Sequence, residues 1–388
     1  MNAGPTDGPV DDSADDSERI RALARTELRP LVEAGEPGRV NRPLVRAMGT
    51  AGLLARLFPG VADGRPTGEA GAVDLCLLRE NLARVSTEAE TALALQGLGG
   101  YPILQSGRPE LVERWIPQVA AGTAIASFAL TEPEAGSDAA ALAMAAEPDG
   151  SGWRLTGEKI WISNAPDADV YTVFARTGGP GARGVSAFVV PGDRAGLGGE
   201  PLELLAPHAI GRLTFDGVRV DAEEMLGEPG GGFRVAMRTL DLFRPSVGAF
   251  AVGMAQAALD ASVEHASTRR AFGGRLSDLQ AVSHALAEMA TRIEAARLLV
   301  YSAAGAYQAG SPELTRRAAM AKLFATETAQ YVVDAAVQVH GARALQRGHL
   351  LEHLYREVRA PRIYEGASEV QRTIIARDLL SSSTKGNR

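Results

Sequence analysis

Apolar positions follow a helical period in the first third of this chain. From about residue 17 to 122 they recur three or four positions apart, most clearly at Leu75, Leu78 and Leu82, with charged residues between them. This spacing places apolar side chains on one face of a helix. A glycine-rich stretch from Gly60 to Gly71 interrupts the pattern. The first third of the chain is therefore predicted to be helical.

The middle of the chain has the pattern of a small β domain. From Ala124 onward, short segments rich in Val, Ile, Phe, Thr and Trp are separated by clusters of Gly, Pro and Asp. Such segments are typical of an antiparallel sheet or barrel. The predicted strands are Ala126–Thr131, Trp153–Ser163, Val170–Ala175, Val185–Val190 and Arg212–Val220.

After Gly232 the helical period returns. From Leu279 to Val300, apolar residues keep to one face of a predicted helix over about six turns, which is typical of a helix inside a bundle. Ser277 and Gln280 are interpreted as a capping box at its start. A further helix is predicted from about Pro312 to Gly341, where the glycine ends it, and a last helix reaches about Leu380. The apolar face consists of Leu279, Val282, Leu286, Met289, Ile293, Ala296 and Val300.

These periods predict an α+β protein with an N-terminal helical domain, a central antiparallel β domain and a C-terminal helical bundle. The predicted domains are residues 17–123, 124–228 and 229–388. Residues 1–16 are acidic and rich in Gly, Pro and Asp, and we expect them to form a disordered tail. Since this tail resembles neither a secretory signal nor a transit peptide, a cytoplasmic location is expected.

Charge and cysteine content exclude several classes of function. The 388 residues include 40 basic and 47 acidic side chains, a formal net charge of −7, which provides no basic field for nucleic acid or an anionic membrane. No run of the roughly 20 apolar residues that a membrane span needs is found. The single Cys76 rules out a disulfide framework. The histidines lack the spacing of metal ligands, so no metal site is predicted.

The segment 126–138, ASFALTEPEAGSD, leads from a predicted strand into a turn through Gly136. Such a turn presents backbone N–H groups and the Ser137 hydroxyl to an anion or to the polar edge of a ring. A surface β-turn explains the same residues without a ligand, and the segment alone leaves both interpretations open.

The segment 157–164, GEKIWISN, is a predicted strand in which Lys159, Trp161 and Ser163 alternate onto one face. A tryptophan beside a hydroxyl can cover an aromatic cofactor while the hydroxyl forms a hydrogen bond with it. The indole is equally suited to the core of a sheet.

The segment 362–372, RIYEGASEVQR, places Glu365 at the joint between two predicted helices. Burial in an apolar joint raises the pKa of a carboxyl group, which suits a general base that works near neutral pH. Alternatively, Glu365 interacts with the N-terminus of the following helix. The local sequence does not distinguish between these roles.

Together these segments resemble the acyl-CoA dehydrogenase family of flavoproteins over residues 17 to 380. Five motifs carry the likeness, in the family's order. They are TEP-x-AGSD at Thr131–Asp138, K-x-W-I-[ST]-N at Lys159–Asn164, R-x-x-F-G at Arg269–Gly273, D-A-x-Q-x-x-G with one residue inserted at Asp334–Gly341, and Y-E-G-[TA]-S-E-[IV]-Q-R at Tyr364–Arg372.

The resemblance implies a function as well as a fold. It implies FAD bound between the β domain and the C-terminal helices, and an acyl-CoA or acyl-carrier-protein thioester as substrate. A homotetramer of paired dimers and an electron-transfer flavoprotein as electron acceptor are also implied. Glu365 matches the family's base, which removes the α-proton while the β-hydride goes to flavin N5. A minority of the family has its base near residue 243, where Phe243 cannot take that role.

The resemblance also implies contacts to the cofactor and the substrate. At the flavin ring and phosphate turn these are Phe128, Leu130, Thr131, Gly136, Ser137, Trp161 and Ser163. At the pyrophosphate and adenine end, partly across a subunit interface, they are Arg269, Phe272, Gln280, Gln338 and Gly341. Ala367 and Glu369 complete the cofactor set, and the substrate contacts are Ser137, Asp241, Arg244 and Gly366. Two alternatives stay open: Gln280 belongs to a capping box, and Asp241 and Arg244 form a charge pair at the start of a helix.

Three departures from the family pattern affect these implications. The family pattern G-G-x-G-[FY] stands here as Gly341–Leu345, GARAL, and the loss of its glycines removes backbone freedom there. Ala367 replaces a threonine, and the segment before Phe215, LAPHAIGRLTFDG, is shortened and lacks the G-x-R-x-S pattern. Two other functions suit the same fold, namely a flavin oxidase or monooxygenase and a non-enzymatic assembly partner. The presence of Glu365 argues against both.

Overall fold

Helices form the N-terminal region, as the apolar spacing predicts. The computed structural model describes residues 10–68 and 71–385. The helices are α1 (Val10–Leu23), α2 (Arg29–Glu33), α3 (Arg42–Thr50), α4 (Ala72–Ala83), α5 (Thr87–Ser106) and α6 (Pro109–Ala120). A π-helical turn, Ala24–Leu28, joins α1 to α2. In the glycine-rich stretch, β1 (Val61–Ala62) and β2 (Arg65–Pro66) form a short antiparallel hairpin.

The start of α1 differs from the sequence prediction. Residues 10–16 are helical, so the predicted disordered tail is wrong for them, while residues 1–9 lie outside the described residues. Asp16 Oδ2 accepts a hydrogen bond from Arg56 Nη2 at 2.7 Å, and Arg56 Nε donates to Asp74 of α4 at 2.9 Å. This shared arginine fastens α1 to the rest of the N-terminal helices.

In the described part of the chain, the middle region folds into one eight-stranded sheet. Its strands are β3 (Ala126–Ala129), β4 (Ala145–Asp149), β5 (Gly152–Ser163), β6 (Val170–Arg176), β7 (Val185–Pro191), β8 (Leu197–Pro201), β9 (Ile210–Val220) and β10 (Met225–Leu226). Their order is β10-β7-β6-β4-β5-β9-β8, and β3 pairs with β6. The sheet is mostly antiparallel, but β6 runs parallel to both β3 and β4. The long connection through β4 and β5 lets the chain return in the direction of β3.

Helices return in the C-terminal region. They are α7 (Gly232–Thr268), α8 (Gln280–Gln308), α9 (Leu314–His340), α10 (Leu350–Glu357) and α11 (Ser368–Lys385), with a hairpin of β11 (Arg270–Ala271) and β12 (Gly274–Arg275) between α7 and α8. The central helix α7 packs against α4, α8 and α9. On α8, Met289, Ile293, Ala296 and Val300 are buried, whereas Val282 and Leu286 nearer its start are half-buried. The predicted α, β, α order is confirmed.

The ends of the long C-terminal helices test two predictions. The capping box between Ser277 and Gln280 is wrong, since the N-cap position of α8 is Leu279 and no side chain caps it. The preceding turn is closed by Asp278, whose Oδ2 accepts a hydrogen bond from the Arg275 N–H at 2.8 Å. Helix α9 ends at Gly341 with φ of 65°, as predicted.

Helix α7 is long and apolar enough to cross a membrane, although no such run was expected from the sequence. An 18-residue window of α7 has a mean hydropathy of 1.2, and 78% of that window is buried inside the protein. Burial on all sides explains this composition, because a helix at the centre of a bundle is apolar around its whole circumference.

Candidate active site

Glu365 lies in the turn between α10 and α11, with φ of 51°. Its side chain is half-buried, and Oε2 is buried without a hydrogen-bond partner in the described residues. Burial raises the pKa of Glu365, and the positive charges of Arg79, Lys322 and Arg244 limit the rise. No described hydrogen bond joins this carboxylate to the N-terminus of α11, so the capping alternative lacks support.

Two buried side chains hold the main chain at Glu365. Lys322 Nζ from α9 donates to Gly366 O at 2.7 Å. Gln371 Nε2 from α11 donates to Gly366 O at 2.9 Å and to Glu365 O at 3.2 Å. Gly366 has φ of 93°, and a Cβ there would come within 2.4 Å of Gln371 Nε2, so any other residue is strained and displaces the Gln371 amide. The turn that carries Glu365 is therefore firmly positioned.

The sequence patterns did not predict a buried ion pair between α4 and α5. Arg79 of α4 donates from Nε to the carboxylate of Glu90 in α5, and from Nη1 to Ser246 Oγ in α7 at 2.7 Å. The Arg79 and Glu90 side chains are 4% and 0% exposed. The sequence signal for this pair is that Arg79 stands among the apolar residues of α4. A count of charged residues does not show whether such an arginine is buried or exposed.

The strand β5 does not present its polar residues as predicted. The register of β5 against β9 shifts between Lys159 and Ile162, and Trp161 has φ of 55°. This bulge leaves the indole of Trp161 52% exposed, while Lys159 is fully buried. The prediction that both lie on one face is therefore wrong, and so is the alternative that Trp161 belongs to the sheet core. An exposed indole is available to cover a ligand.

Lys159 instead joins β5 to the turn after β3. Its Nζ donates to Glu132 Oε1 at 2.7 Å and to Leu130 O at 3.0 Å. The Glu132 carboxylate also accepts hydrogen bonds from the backbone N–H groups of Ala143 and Met144, at 2.6 and 3.0 Å. Because every charge here is paired, this buried group holds the base of the turn in place.

Two predicted flavin segments consequently lie side by side. The Ile160 N–H donates to Thr131 O at 3.0 Å, and Ser127 Oγ donates to Ser163 O at 2.6 Å. Gly136 is exposed at the tip of the turn, and a Cβ added there would meet nothing within 4 Å. Leu130 is buried, Phe128, Thr131 and Ser163 are half-buried, and Ser137 is exposed. These hydroxyl groups, the open turn and the exposed indole of Trp161 are together suited to bind a flat ring with a polar edge and an attached phosphate.

The residues predicted for the adenine end gather at one end of the C-terminal bundle. The ring of His265 in α7 stacks on that of His340 in α9, with centroids 4.2 Å apart, which holds these two helix ends together. Phe272, in the β11–β12 turn, is 91% exposed and has φ of 51°. All the predicted residues are exposed here, namely Arg269, Phe272, Gln280, Gln338 and Gly341.

The loop after Gly341 accommodates its missing glycines. Residues Gly341–Leu345 form a 3-10 turn with Ala344 buried beneath it. In this turn only Gly341 has a positive φ, so alanine, arginine and leucine meet no backbone strain at the other positions.

Asp241 and Arg244 lie inside α7, which begins at Gly232, so the alternative of a charge pair at a helix start is wrong. Arg244 Nη1 donates to Asp241 Oδ1 at 3.1 Å. Arg244 Nε is buried without a partner in the described residues. A buried donor without a partner, on a side chain whose charge acts on Glu365, is suited to bind a substrate group. Beyond the turn, Ala367 is half-buried and Glu369 is exposed.

Unusual backbone conformations concentrate in these segments. In the described residues, positive φ outside glycine occurs at Asp63, Trp161, Asn164, Phe272 and Glu365. All but Asp63 belong to the segments that the sequence singled out. Such conformations cost on the order of 1–3 kcal/mol each and cluster at functional sites. This observation is independent of the motifs and selects the same places.

Comparison with known families matches almost the whole chain. The acyl-CoA dehydrogenase N-terminal domain matches residues 14–123, the middle domain residues 127–218 and the C-terminal domain residues 230–380. The probable acyl-CoA dehydrogenase FadE25 of Mycobacterium tuberculosis is 39% identical over 366 residues, which cover 93% of this chain and 93% of that protein.

Solved structures agree with the sequence comparison. Butyryl-CoA dehydrogenase from Megasphaera elsdenii has a TM-score of 0.89 and 33% identity, covering 98% of this chain and 100% of that chain. The FAD complex of PigA has a TM-score of 0.87 and 25% identity, covering 98% of this chain and 99% of that chain. The predicted family and three-part fold are confirmed: the chain belongs to the acyl-CoA dehydrogenase family of FAD-dependent oxidoreductases.

Proposed function

We propose that this protein catalyses α,β-dehydrogenation of an acyl-CoA or acyl-carrier thioester, with Glu365 as the base that removes the α-proton. The buried Oε2 of Glu365, which has no hydrogen-bond partner in the described residues, carries the proposal. An oxygen without a hydrogen-bond partner has its lone pairs available to accept a proton. FAD, when bound, supplies the acceptor for the β-hydride.

Proton removal from a thioester needs a base of suitable strength in a fixed place. The α-hydrogen is a weak acid, so a carboxylate whose pKa is raised by burial is a better base than one in water. The ionised form is the reactive one, and the rate is therefore expected to rise as the pH increases through the pKa of Glu365. Lys322 and Gln371 fix the turn by holding its carbonyl groups.

The developing negative charge on the thioester oxygen needs a hydrogen-bond donor. The backbone N–H of Glu365 makes no hydrogen bond among the described residues, so it is available for this role. A donor held in advance stabilises such a charge without reorganising at the moment of reaction. The buried Nε of Arg244, with Asp241 beside it, is proposed to bind the thioester carrier.

The remaining predicted contacts belong to the same proposal. FAD would lie against Trp161 and the Phe128–Thr131 segment, with its phosphates at the turn of Gly136 and Ser137. Its adenine end would meet the exposed group at the end of the C-terminal bundle. A homotetramer, an electron-transfer flavoprotein as electron acceptor, a cytoplasmic location and domain boundaries at residues 17–123, 124–228 and 229–388 complete the proposal.

The decisive experiment is anaerobic reduction of the flavin by a panel of acyl thioesters, including carrier-bound ones. We expect the yellow wild-type protein to bleach with at least one of them, and Glu365→Gln to bleach about 10²–10⁴-fold more slowly with its FAD content unchanged. Glu264→Gln, an exposed carboxyl on α7, serves as the matched control and should behave as wild type. A Glu365→Gln protein that reduces its flavin as fast as wild type would show that another group is the base.

A further inference from the structure

One carboxylate on α9 contacts both ends of the turn that carries Glu365, residues 363–367. Ser368 Oγ, just after the turn, donates to Glu327 Oε1 at 2.7 Å. Arg362, just before the turn, places its Nη2 2.9 Å from Glu327 Oε2. Glu365 lies three residues from each of these contacts in the sequence. A single side chain therefore joins the two ends of the segment that contains the proposed base.

Both ends of the turn belong to regular elements. Arg362 is the last residue of a 3-10 turn, Ala360–Arg362, and Ser368 is the first residue of α11. Ser368 is 4% exposed, and the Glu327 and Arg362 side chains are 32% and 31% exposed. Partial burial removes much of the competing water, so these contacts are more persistent than ion pairs on the open surface. The Glu327 carboxylate thus holds the two elements at a fixed separation.

The Glu327 carboxylate is ionised in the folded protein. Burial raises its pKa, but the hydrogen bonds from Ser368 and Arg362 outweigh burial and hold the pKa below its usual value. An ionised carboxylate accepts hydrogen bonds at both oxygens, one for each end of the turn. Arg372 is a weaker partner, because its Nη2 lies 3.9 Å from Oε1 and its side chain is 56% exposed.

The turn needs such support because of its backbone. Glu365 has φ of 51°, a conformation that persists only where surrounding contacts hold it. Lys322 and Gln371 hold the carbonyl groups in the middle of the turn, whereas Glu327 holds its ends. Without the contacts to Glu327, the ends are free to move apart, and the direction of the Glu365 side chain changes with them.

We propose that Glu327 is a positioning residue: by bonding Arg362 and Ser368 at once, it keeps the turn closed and holds the Glu365 carboxylate in the orientation from which it removes the α-proton. The inference rests on the proposed role of Glu365. A base has to lie within hydrogen-bonding reach of the proton that it removes. A displacement of about 1 Å can slow such a reaction on the order of 10²-fold.

The same two helices are also joined away from the turn. Arg316 Nη1 of α9 lies 3.0 Å from Asp378 Oδ2 of α11, and these side chains are 20% and 38% exposed. Asp378 comes ten residues after Ser368, about 15 Å further along α11. Asp378→Asn removes a contact between α9 and α11 of similar exposure, remote from the turn, and is therefore the matched control.

The test measures anaerobic flavin reduction in the FAD-bound protein over a range of concentrations of a thioester that bleaches wild type. In Glu327→Gln we expect the limiting rate to fall about 10- to 100-fold with FAD content unchanged. The thioester concentration that gives half of the limiting rate should change less, because the proposed substrate contacts lie elsewhere. Glu327→Asp keeps the charge and both acceptor oxygens, so it should recover part of the rate. Asp378→Asn should react as wild type does.

Variants at the two ends of the turn test whether the contacts act as one unit. Ser368→Ala and Arg362→Met each remove one contact, and each should slow flavin reduction in the wild-type background. In the Glu327→Gln background neither change should add much to the loss, because the contact that it removes is already broken.

Hydrogen exchange measured by mass spectrometry follows the turn without turnover. The N–H groups of Ile363, Tyr364 and Gln371 are hydrogen-bonded in the folded protein. Opening of the turn exposes such groups and speeds their exchange. We expect residues 363–371 to exchange faster in Glu327→Gln than in wild type or in Asp378→Asn.

A folded Glu327→Gln protein with full FAD content and the wild-type limiting rate overturns the proposal, and so do losses that simply add in the double variants. Should Glu327→Gln not fold, Ser368→Ala and Arg362→Met test the two contacts one at a time, and wild-type rates in both are equally decisive against it. Failure of the proposed function looks different: no thioester would bleach wild type, or Glu365→Gln would react normally. Hydrogen exchange then still measures whether Glu327 holds the turn.

Discussion

Glu365 and Gly366 occupy left-handed backbone conformations, with φ of 51° and 93°. For a residue with a side chain this conformation costs about 1–2 kcal/mol, because Cβ approaches a carbonyl oxygen. The carbonyl groups of both residues accept hydrogen bonds from Lys322 and Gln371, which hold the turn in this shape. At the scale of single residues, the site therefore depends on a glycine as much as on the carboxylate.

Replacing Gly366 tests that dependence. An alanine Cβ would come within 2.4 Å of Gln371 Nε2 at a φ that alanine rarely adopts. We expect Gly366→Ala to lower the free energy of unfolding by about 1–3 kcal/mol and to slow flavin reduction, because Gln371 must move. Urea unfolding and anaerobic bleaching measure the two effects.

The matched control is Gly305→Ala. Gly305 lies in α8, where an added Cβ meets nothing within 4 Å, so this change should stabilise the protein by about 0.5–1 kcal/mol. Equal stability of wild type and Gly366→Ala would show that the turn tolerates a side chain and is not constrained as described.

At the scale of elements, the segment between β8 and β9 is held by a network that the motifs did not indicate. His208 Nε2 lies 2.6 Å from Glu357 Oε2 in α10. His353, also in α10, lies 2.7 Å from Thr87 Oγ1 at the start of α5. This network connects the sheet to the N-terminal and C-terminal helices, at the segment where the sequence departs from the family pattern.

The network predicts a stability that depends on pH. Burial opposes protonation of His208, but the charge of Glu357 outweighs it and raises the pKa of His208 to about 9. In the unfolded chain the pKa is about 6.5. The stabilisation is therefore complete below about pH 6.5 and is lost as the pH rises through about 9. His208→Gln should unfold at a lower temperature than wild type near neutral pH, with the difference shrinking in alkaline buffer.

Thermal unfolding of both proteins from acidic to alkaline pH measures this difference. His284→Gln, an exposed histidine on α8, is the control and should follow wild type throughout. A His208→Gln deficit of the same size in neutral and strongly alkaline buffer would contradict the assigned ion pair.

At the scale of the whole molecule, the C-terminal bundle exposes large apolar side chains. They include Phe272, Leu298, Tyr331, Leu345 and Leu350. Large apolar side chains at the surface are candidates for burial in an interface between subunits. These side chains support the proposed homotetramer, in which the adenine end of FAD meets a second subunit.

We expect Phe272 to contribute both to assembly of the subunits and to FAD binding. Burying a phenylalanine contributes about 1.5–3 kcal/mol, so Phe272→Ala should weaken FAD retention about 10-fold or more and shift the protein toward smaller species. Flavin absorbance after gel filtration and mass photometry measure the two effects. Leu205→Ala, an exposed apolar residue before β9, is the control. A Phe272→Ala tetramer with full FAD content would exclude this role.

Local patterns in the sequence predicted much of the fold and of the candidate site. The change of period at Ala124 and Gly232, the stop of α9 at Gly341 and the placement of Glu365 in a joint between helices all depend on residues near one another in the chain. Periodicity and turn chemistry act over a few residues, so they can be inferred without coordinates. The family motifs added the chemistry, since each is a short segment with its own backbone geometry.

Only the tertiary structure decided which way several side chains point and what they contact. A bulge against β9 turned Trp161 outward, against the simple alternation of a strand. Arg79 meets Ser246 across 167 residues of sequence, and His208 meets Glu357 across 149. No local pattern encodes such pairs, because the energy of a buried charge depends on which helices and loops the whole fold brings around it.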